Sequence, residues 1–224
     1  MANKKIKANG KKKVEEKFVV ELSGGADSSL ACLYLIERGI AKENIFPIYV
    51  NYGQVYAIRE QEMSFRIAKY LNLQKLYISN INLFTRRFDP FIPYRNLVIS
   101  SLALNYAQSI KAIAVVNGSR GLVPTPDEDC TYRDSCAVFY VLFNNIVTYI
   151  KEEKENIIQL LPILTEKRQM KMMKDEVYSE LNRFKFPLDY IWNCYFGVEK
   201  PCGSCKNCKE LKSFKDRNCL MLLT

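Results

Sequence analysis

Short apolar runs alternate with longer stretches of helical spacing along most of the chain. Lys17–Leu22 (KFVVEL) predicts a strand, and the Gly24-Gly25 pair ends it. Asp27-Ser28-Ser29 offers N-cap chemistry for a helix carrying Ala31, Leu33, Leu35 and Ile36, which Arg38-Gly39 stops. Ile45–Val50 predicts a second strand. A turn at Tyr52-Gly53-Gln54 follows, then a helix over 56–71 marked by Ile58, Met63, Ile67, Ala68 and Leu71. Lys75–Ser79 predicts a third strand, 80–94 a polar loop, and about 96–110 a helix with small and apolar residues on one face. Ala112–Val116 is a continuous apolar run, the kind buried on both faces of a sheet. An irregular stretch over 117–133 precedes helices over 135–151 and 166–182.

Strands alternating with helices predict an α/β fold, a parallel sheet with helices on both faces. Such sheets bind ligands beyond the carboxyl ends of their strands. Residues 23–25, 52–54, 80–95 and 117–133 each follow a strand, so they should meet on one rim.

Composition narrows the chemistry. The 224 residues, 48% hydrophobic and 25% charged, suit one compact body with a small appended module. No apolar run reaches the roughly 18 residues of a membrane span, and none follows the N-terminal lysines as a secretory signal would require. A cytoplasmic setting without a membrane partner is expected. The net charge of +9 is uneven: residues 1–17 hold seven lysines and two glutamates, which is +5 and leaves +4 for the rest. Such a tail reads as a solvated leader, with a nucleic-acid arm as the alternative. Nucleic acid is not the expected partner.

Histidine is absent, which excludes Ser-His-Asp and Cys-His catalysis and any zinc site mixing cysteine with histidine. General acids, bases and ligands must come from Asp, Glu, Lys, Cys, Tyr or water.

Two constellations remain. Ser23-Gly24-Gly25-Ala26-Asp27-Ser28-Ser29 joins strand to helix. Its glycines admit phosphate oxygens close to the backbone, the helix N-terminus attracts the anion, and the serines can add donors. No Gly-x-x-x-x-Gly-Lys is present, so the loop is not one that grips a transferred γ-phosphate. Asp27 suits a helix cap or a magnesium ligand. The second constellation is Cys194, Cys202, Cys205 and Cys208, four thiols within 15 residues, with Gly203 in the knuckle. This predicts a structural zinc site, closed to substrate. Of the other cysteines, Cys32 reads as core, and Cys130 lies in the acidic loop.

Together these blocks resemble the 7-cyano-7-deazaguanine synthase family of PP-loop ATP pyrophosphatases. Ser23–Ser28 resembles the family's pyrophosphate loop, and Tyr52-Gly53-Gln54 the segment after its second strand. Pro93-Tyr94-Arg95-Asn96 resembles a Pro-Gly-Arg-Asn block. Trp192-Asn193-Cys194-Tyr195 followed by Cys202-Gly203-x-Cys205-x-x-Cys208 resembles its zinc signature. The resemblance covers about residues 18–215. It implies an adenine-nucleotide-hydrolase-like, Rossmann-like fold with a C-terminal four-cysteine zinc module. The parts would be a basic tail (1–16), a nucleotide-binding domain (17–183) and a zinc-binding segment (184–224).

It also implies a ligase that uses ATP to adenylate the carboxylate of 7-carboxy-7-deazaguanine. Amine attack follows, and a second ATP-driven step turns the amide into a nitrile. The implied cofactors are ATP, Mg2+ and Zn2+. Ser23, Gly24, Gly25, Asp27, Ser28, Ser29, Tyr52 and Gln54 would hold the nucleotide. Arg95, Asn96, Asp129, Arg133 and Asp134 would hold the deazaguanine, and Asp27, Arg95 and Lys167 would act on the reacting groups. A homodimer is expected.

The sequence departs from the family at several points. Val55-Tyr56 follows Tyr-Gly-Gln where histidine is usual, and Tyr94 replaces glycine. Residues 127–134 replace the Tyr-Pro-Asp-Cys-Arg run, and Leu211 stands where arginine is common. These changes bear on the acceptor. Alternatives are therefore a ligase that couples the activated deazaguanine to a protein or peptide amine, a PP-loop enzyme that modifies tRNA, and a non-catalytic nucleotide-binding subunit.

Overall fold

The computed structural model describes residues 16–83, 92–120, 133–151, 158–162, 172–197 and 199–221. Asp129, Cys130, Lys167 and nearly all of the basic tail lie outside the described residues, as do most of the expected loops over 80–94 and 117–133.

Five parallel strands form one sheet in the order β3-β2-β1-β4-β5. They are β1 (Phe18–Glu21), β2 (Ile45–Asn51), β3 (Tyr77–Asn80), β4 (Ala114–Asn117) and β5 (Gln159–Pro162). The helices are α1 (Ala26–Glu37), α2 (Ala57–Tyr70), α3 (Arg95–Ser109), α4 (Ala137–Ile150), α5 (Lys174–Arg183) and α6 (Lys206–Met221). Residues of β1 alternate between the faces. Val20 and Leu22 join a core with α1, α2, α5 and α6, while Val19 joins a second core with α3 and α4. The sheet is thus covered on both sides, as the alternation predicts.

The order reverses between β1 and β4. Connections leave β1 and β2 toward one face, and those leaving β3 and β4 run over the other. Their carboxyl ends flank a crevice at this switch point, the usual ligand site of such sheets.

Several expectations need correction. The first helix is not capped by Asp27 or its neighbouring serines: Gly25 is the N-cap, in extended conformation, and Asp27 lies inside the first turn. β3 and β4 begin two residues later than the pattern indicates, at Tyr77 and Ala114. The helix expected over 166–182 has its described start at Lys174. Met173 before it is extended, and its N–H donates to the Glu176 carboxylate at 2.8 Å, which fixes the boundary. Neither β5 nor α6 stands out in the hydrophobic pattern. β5 is a four-residue edge strand ending in proline, and α6 is mostly polar or charged, with Phe214 packed on Tyr178 of α5 at 5.2 Å between ring centroids. No described helix is long and apolar enough to cross a membrane.

Candidate functional site

The Ser-Gly-Gly loop is held from three sides. Gly24 has φ +73°, and a Cβ there would come within 2.7 Å of the Glu60 carbonyl and 2.9 Å of Met63 Cβ in α2. Only glycine serves where both the backbone and the space demand it. From β4, Gly118 packs so closely on the first turn of α1 that a Cβ would lie 2.6 Å from the Ser28 nitrogen. From the C-terminal segment, the Trp192 N–H donates to the Gly24 carbonyl at 2.8 Å, and Asn193 Oδ1 accepts the Ala26 N–H at 3.4 Å.

The serines serve the loop itself. Ser28 and Ser29 hydroxyls donate to the Gly25 carbonyl at 3.1 and 2.7 Å, and the Ser23 N–H donates to Ser28 Oγ at 3.2 Å. The α1 N-terminus leaves an electropositive, closely packed cradle.

Asp27 faces this cradle between two cations. Its Oδ2 accepts from Lys174 Nζ at 2.8 Å and lies 3.9 Å from Arg120 Nε. Its Oδ1 is buried and has no hydrogen-bond partner among the described residues. An orphaned carboxylate oxygen at the mouth of an anion cradle fits a divalent cation shared with phosphates. Lys174 and Arg120 escape sequence reasoning. Nothing local marks them, and they reach Asp27 only through the packing of α5 and the end of β4.

A second group lies beyond β2 and at the start of α3. The Arg95 guanidinium sits 5.8 Å from the centre of the Tyr52 ring and hydrogen-bonds the Tyr52 hydroxyl, which also contacts Tyr56. Burial holds the Tyr52 and Tyr56 hydroxyls protonated, and it pushes the Glu60 carboxyl up to about 7. Gln54 points inward: its Oε1 accepts the Tyr52 N–H at 2.9 Å, and its Nε2 donates to Tyr49 and Glu60 at 2.9 and 2.7 Å. Asp134 joins Arg95 and Asn96, since its Oδ2 accepts the Asn96 N–H at 3.4 Å and its carbonyl accepts Asn96 Nδ2. Arg133 beside it is exposed.

Tyr94 opens α3 at φ +61°, the left-handed region. A glycine would reach that region without strain, whereas a tyrosine there is uncommon and costs energy. Its ring projects into solvent, 75% exposed.

The four cysteines form one group. All their Sγ atoms lie within 4.8 Å of one another. Tetrahedral Zn–S bonds of about 2.3 Å separate sulfurs by roughly 3.8 Å, so the cage matches one ion after slight contraction. Backbone N–H groups of Phe196, Gly197 and Cys202 donate to Cys194 Sγ at 3.4, 3.0 and 3.2 Å, and the Cys205 N–H donates to Cys202 Sγ at 3.3 Å. The Ser204 hydroxyl, with the backbone N–H groups of Cys205 and Ser204, holds Cys202 below the ordinary thiol range. Cys194 and Cys205 are buried in the core shared with α1 and α5. Asn207 Nδ2 donates to the Asn193 carbonyl at 2.9 Å, and Asn193 Nδ2 donates to the Tyr178 hydroxyl at 2.9 Å. The metal-binding knuckle and the Ser-Gly-Gly loop are therefore two ends of one short connection.

Fold and site together define a doubly wound α/β protein with a Ser-Gly-Gly loop at its switch point and a four-thiol group stapled beside it. The family model described as "Queuosine biosynthesis protein QueC" matches residues 84–216, and the chain belongs to that family. It is 29% identical over 216 residues to the 7-cyano-7-deazaguanine synthase of Prochlorococcus marinus strain MIT 9215, covering 86% of this chain and 90% of that relative. It is 27% identical over 226 residues to the 7-cyano-7-deazaguanine synthase of Methanobrevibacter smithii, covering 88% and 92%. The U34-tRNA thiolase NcsA from Methanococcus maripaludis overlays at a TM-score of 0.49 and 16% identity, over 90% of this chain and 65% of that one, a likeness too slight to add to the topology.

Proposed function

We propose that this protein is an ATP-dependent ligase that adenylates the carboxylate of 7-carboxy-7-deazaguanine and lets an amine displace AMP. With ammonia as donor, the final product is 7-cyano-7-deazaguanine. The observation that carries this reading is the Asp27 carboxylate, set between Lys174 and Arg120 at the rim of the Ser-Gly-Gly cradle, in a chain of this family. Carboxylate oxygen is a poor leaving group and AMP a good one, so the protein's task is to position the reactants and neutralise phosphate charge.

In this reading Ser23, Gly24, Gly25, Ser28 and Ser29 shape the phosphate cradle, and Asp27 holds Mg2+. Tyr52 and Gln54 form the wall of the nucleotide pocket. Arg95 neutralises phosphate or carboxylate, and Asn96, Arg133 and Asp134, with Asp129, bind the deazaguanine. Lys167 completes the set at the phosphates. Zn2+ occupies Cys194, Cys202, Cys205 and Cys208. The body over 17–183 carries the chemistry, the segment over 184–224 braces it, and the tail over 1–16 takes no part in the reaction. A cytoplasmic setting, with ATP at hand and thiols reduced, suits both sites.

Incubation with ATP, Mg2+, ammonium and 7-carboxy-7-deazaguanine is expected to release AMP and pyrophosphate only when the deazaguanine is present. Mass spectrometry should find the nitrile. Absence of deazaguanine-dependent AMP overturns the reading. A heavier conjugate formed only with peptide would move the acceptor to a protein amine.

We also infer a homodimer through α4. All 14 of its residues are uncharged, and Val138, Val141, Leu142, Ile146, Tyr149 and Ile150 form a stripe 53–89% exposed. Such a stripe is unfavourable in water, and a two-fold axis lets one copy cover another's. Light scattering should give twice the chain mass for the wild type and the monomer mass for Ile146→Glu.

A further inference from the structure

Glu21, the last residue of β1, points to the α3/α4 face of the sheet, opposite the face on which α1 and its phosphate cradle pack. It lies at the switch-point crevice, two residues before Ser23. The residue is half-buried, and its carboxyl is set back beneath α3. Ser100 Oγ of α3 donates to its Oε1 at 2.8 Å. Asn117 at the end of β4 gives it a second hydrogen bond. Asn117 is itself held in one orientation, because its Oδ1 accepts both the Tyr140 hydroxyl at 3.1 Å and the Ser119 N–H at 3.0 Å, which leaves its NH2 for Glu21.

The groups that act on Glu21 from α3 and β4 are thus neutral donors, and Tyr140 from α4 is kept protonated by its burial. No lysine or arginine among the described residues neutralises it, unlike Asp27 with Lys174 and Arg120. A recessed anion that lacks a cation partner fits a small cationic ligand.

We propose that Glu21, with Ser100 and Asn117, forms the subsite for the amine nucleophile, holding it as an ammonium ion and taking its proton as it attacks. This rests on the ligase reading above. The ammonium nitrogen gives one proton to the Glu21 carboxylate, which passes it to water. The freed lone pair forms the C–N bond at the acyl carbon. The C–O bond to the phosphate breaks, and its electron pair leaves with AMP. The nitrogen then loses a second proton by the same route, leaving the neutral amide. The chain has no histidine for this work, and burial lifts the Glu21 carboxyl to about 7, where it can exchange protons near neutral pH.

The test is Glu21→Gln, an isosteric change, assayed in two halves. Exchange of pyrophosphate into ATP that depends on 7-carboxy-7-deazaguanine is expected within about threefold of wild type. Amide formation from ammonium should fall by about 10²–10⁴-fold, the usual contribution of a positioned proton acceptor. Hydroxylamine, which is largely neutral at pH 7 and needs no such help, should restore product to within tenfold. Equal loss in both halves, or no loss in either, overturns the proposal. Line broadening of 15N-ammonium supplies a readout without turnover: wild type should broaden the signal and Glu21→Gln should not. Broadening by both proteins also overturns the subsite. Failure of the wild type to make AMP, with broadening still specific to Glu21, would overturn the ligase reading instead and leave the cation site standing.

Discussion

Replacing Asp27 with asparagine is expected to lower deazaguanine-dependent AMP release by about 10²–10³-fold with little change in thermal stability. The carboxylate has two tasks in this structure. Its Oδ2 anchors Lys174 and Arg120 at the rim of the cradle, and its buried Oδ1 is left with no partner among the described residues. Asparagine keeps the shape but loses the charge that draws both a divalent cation and the two side chains. It also presents an NH2 where a metal needs an oxygen lone pair. The loss should fall mainly on turnover, since phosphate charge builds as pyrophosphate departs. Raising Mg2+ should recover part of the rate, because a weakened metal site is filled by mass action. Steady-state assays at several Mg2+ concentrations decide the matter. A rate within threefold of wild type at every concentration would remove Asp27 from the reacting centre.

Removal of the metal should have the second large effect, and it should reach further than the cysteines. Four thiolates close together repel one another without an ion, and binding energy at such a site is folding energy. Stripping with a chelator, or Cys194→Ser, should lower Tm by roughly 10 °C or more. The same treatment should abolish ATP-dependent turnover, although the cysteines touch no substrate in the proposed reading. The reason lies in the two residues just before Cys194: Trp192 and Asn193 hold Gly24 and Ala26, and the thiolate knuckle fixes where Trp192 and Asn193 stand. Metal analysis should give one zinc per chain, and cobalt substitution should give the intense visible bands of a tetrahedral thiolate site. A chelated protein that keeps both its Tm and its activity would show the four thiols to be incidental.

Some of this was legible along the chain. The Ser-Gly-Gly loop stands out because its glycines, the strand before it and the helix after it are contiguous. The cysteine group stands out because its four ligands fall within 15 residues. Arg95, Asn96 and Asp134 stand in short blocks far apart along the chain, and α3 with the 3-10 turn over 133–135 brings them into contact. β5 and α6 were not legible. The strand carries too few residues to show a period, and the buried side of α6 rests, among the described side chains, on Phe214 with partly buried Cys208 and Leu211. The expected cap at Asp27 failed because Asp and Ser suit the first turn as well as the cap, and glycine can fill the cap without a side chain.

The sequence by itself determined the parallel α/β order, the place of the Ser-Gly-Gly loop, the four-thiol set and the absence of any histidine chemistry. Each is a local signal or a composition, and each survives whatever the rest of the chain does. Tertiary structure alone decided which charges meet at the loop. Lys174 lies 147 residues from Asp27 and Asn193 lies 167 from Ala26, and only the reversal of strand order between β1 and β4, with the helices folded back over both faces, brings such partners to one crevice. The same packing leaves Glu21 recessed, with no cation partner among the described residues. No reading of its neighbours along the chain could show this, because a carboxylate's environment is set by what folds against it.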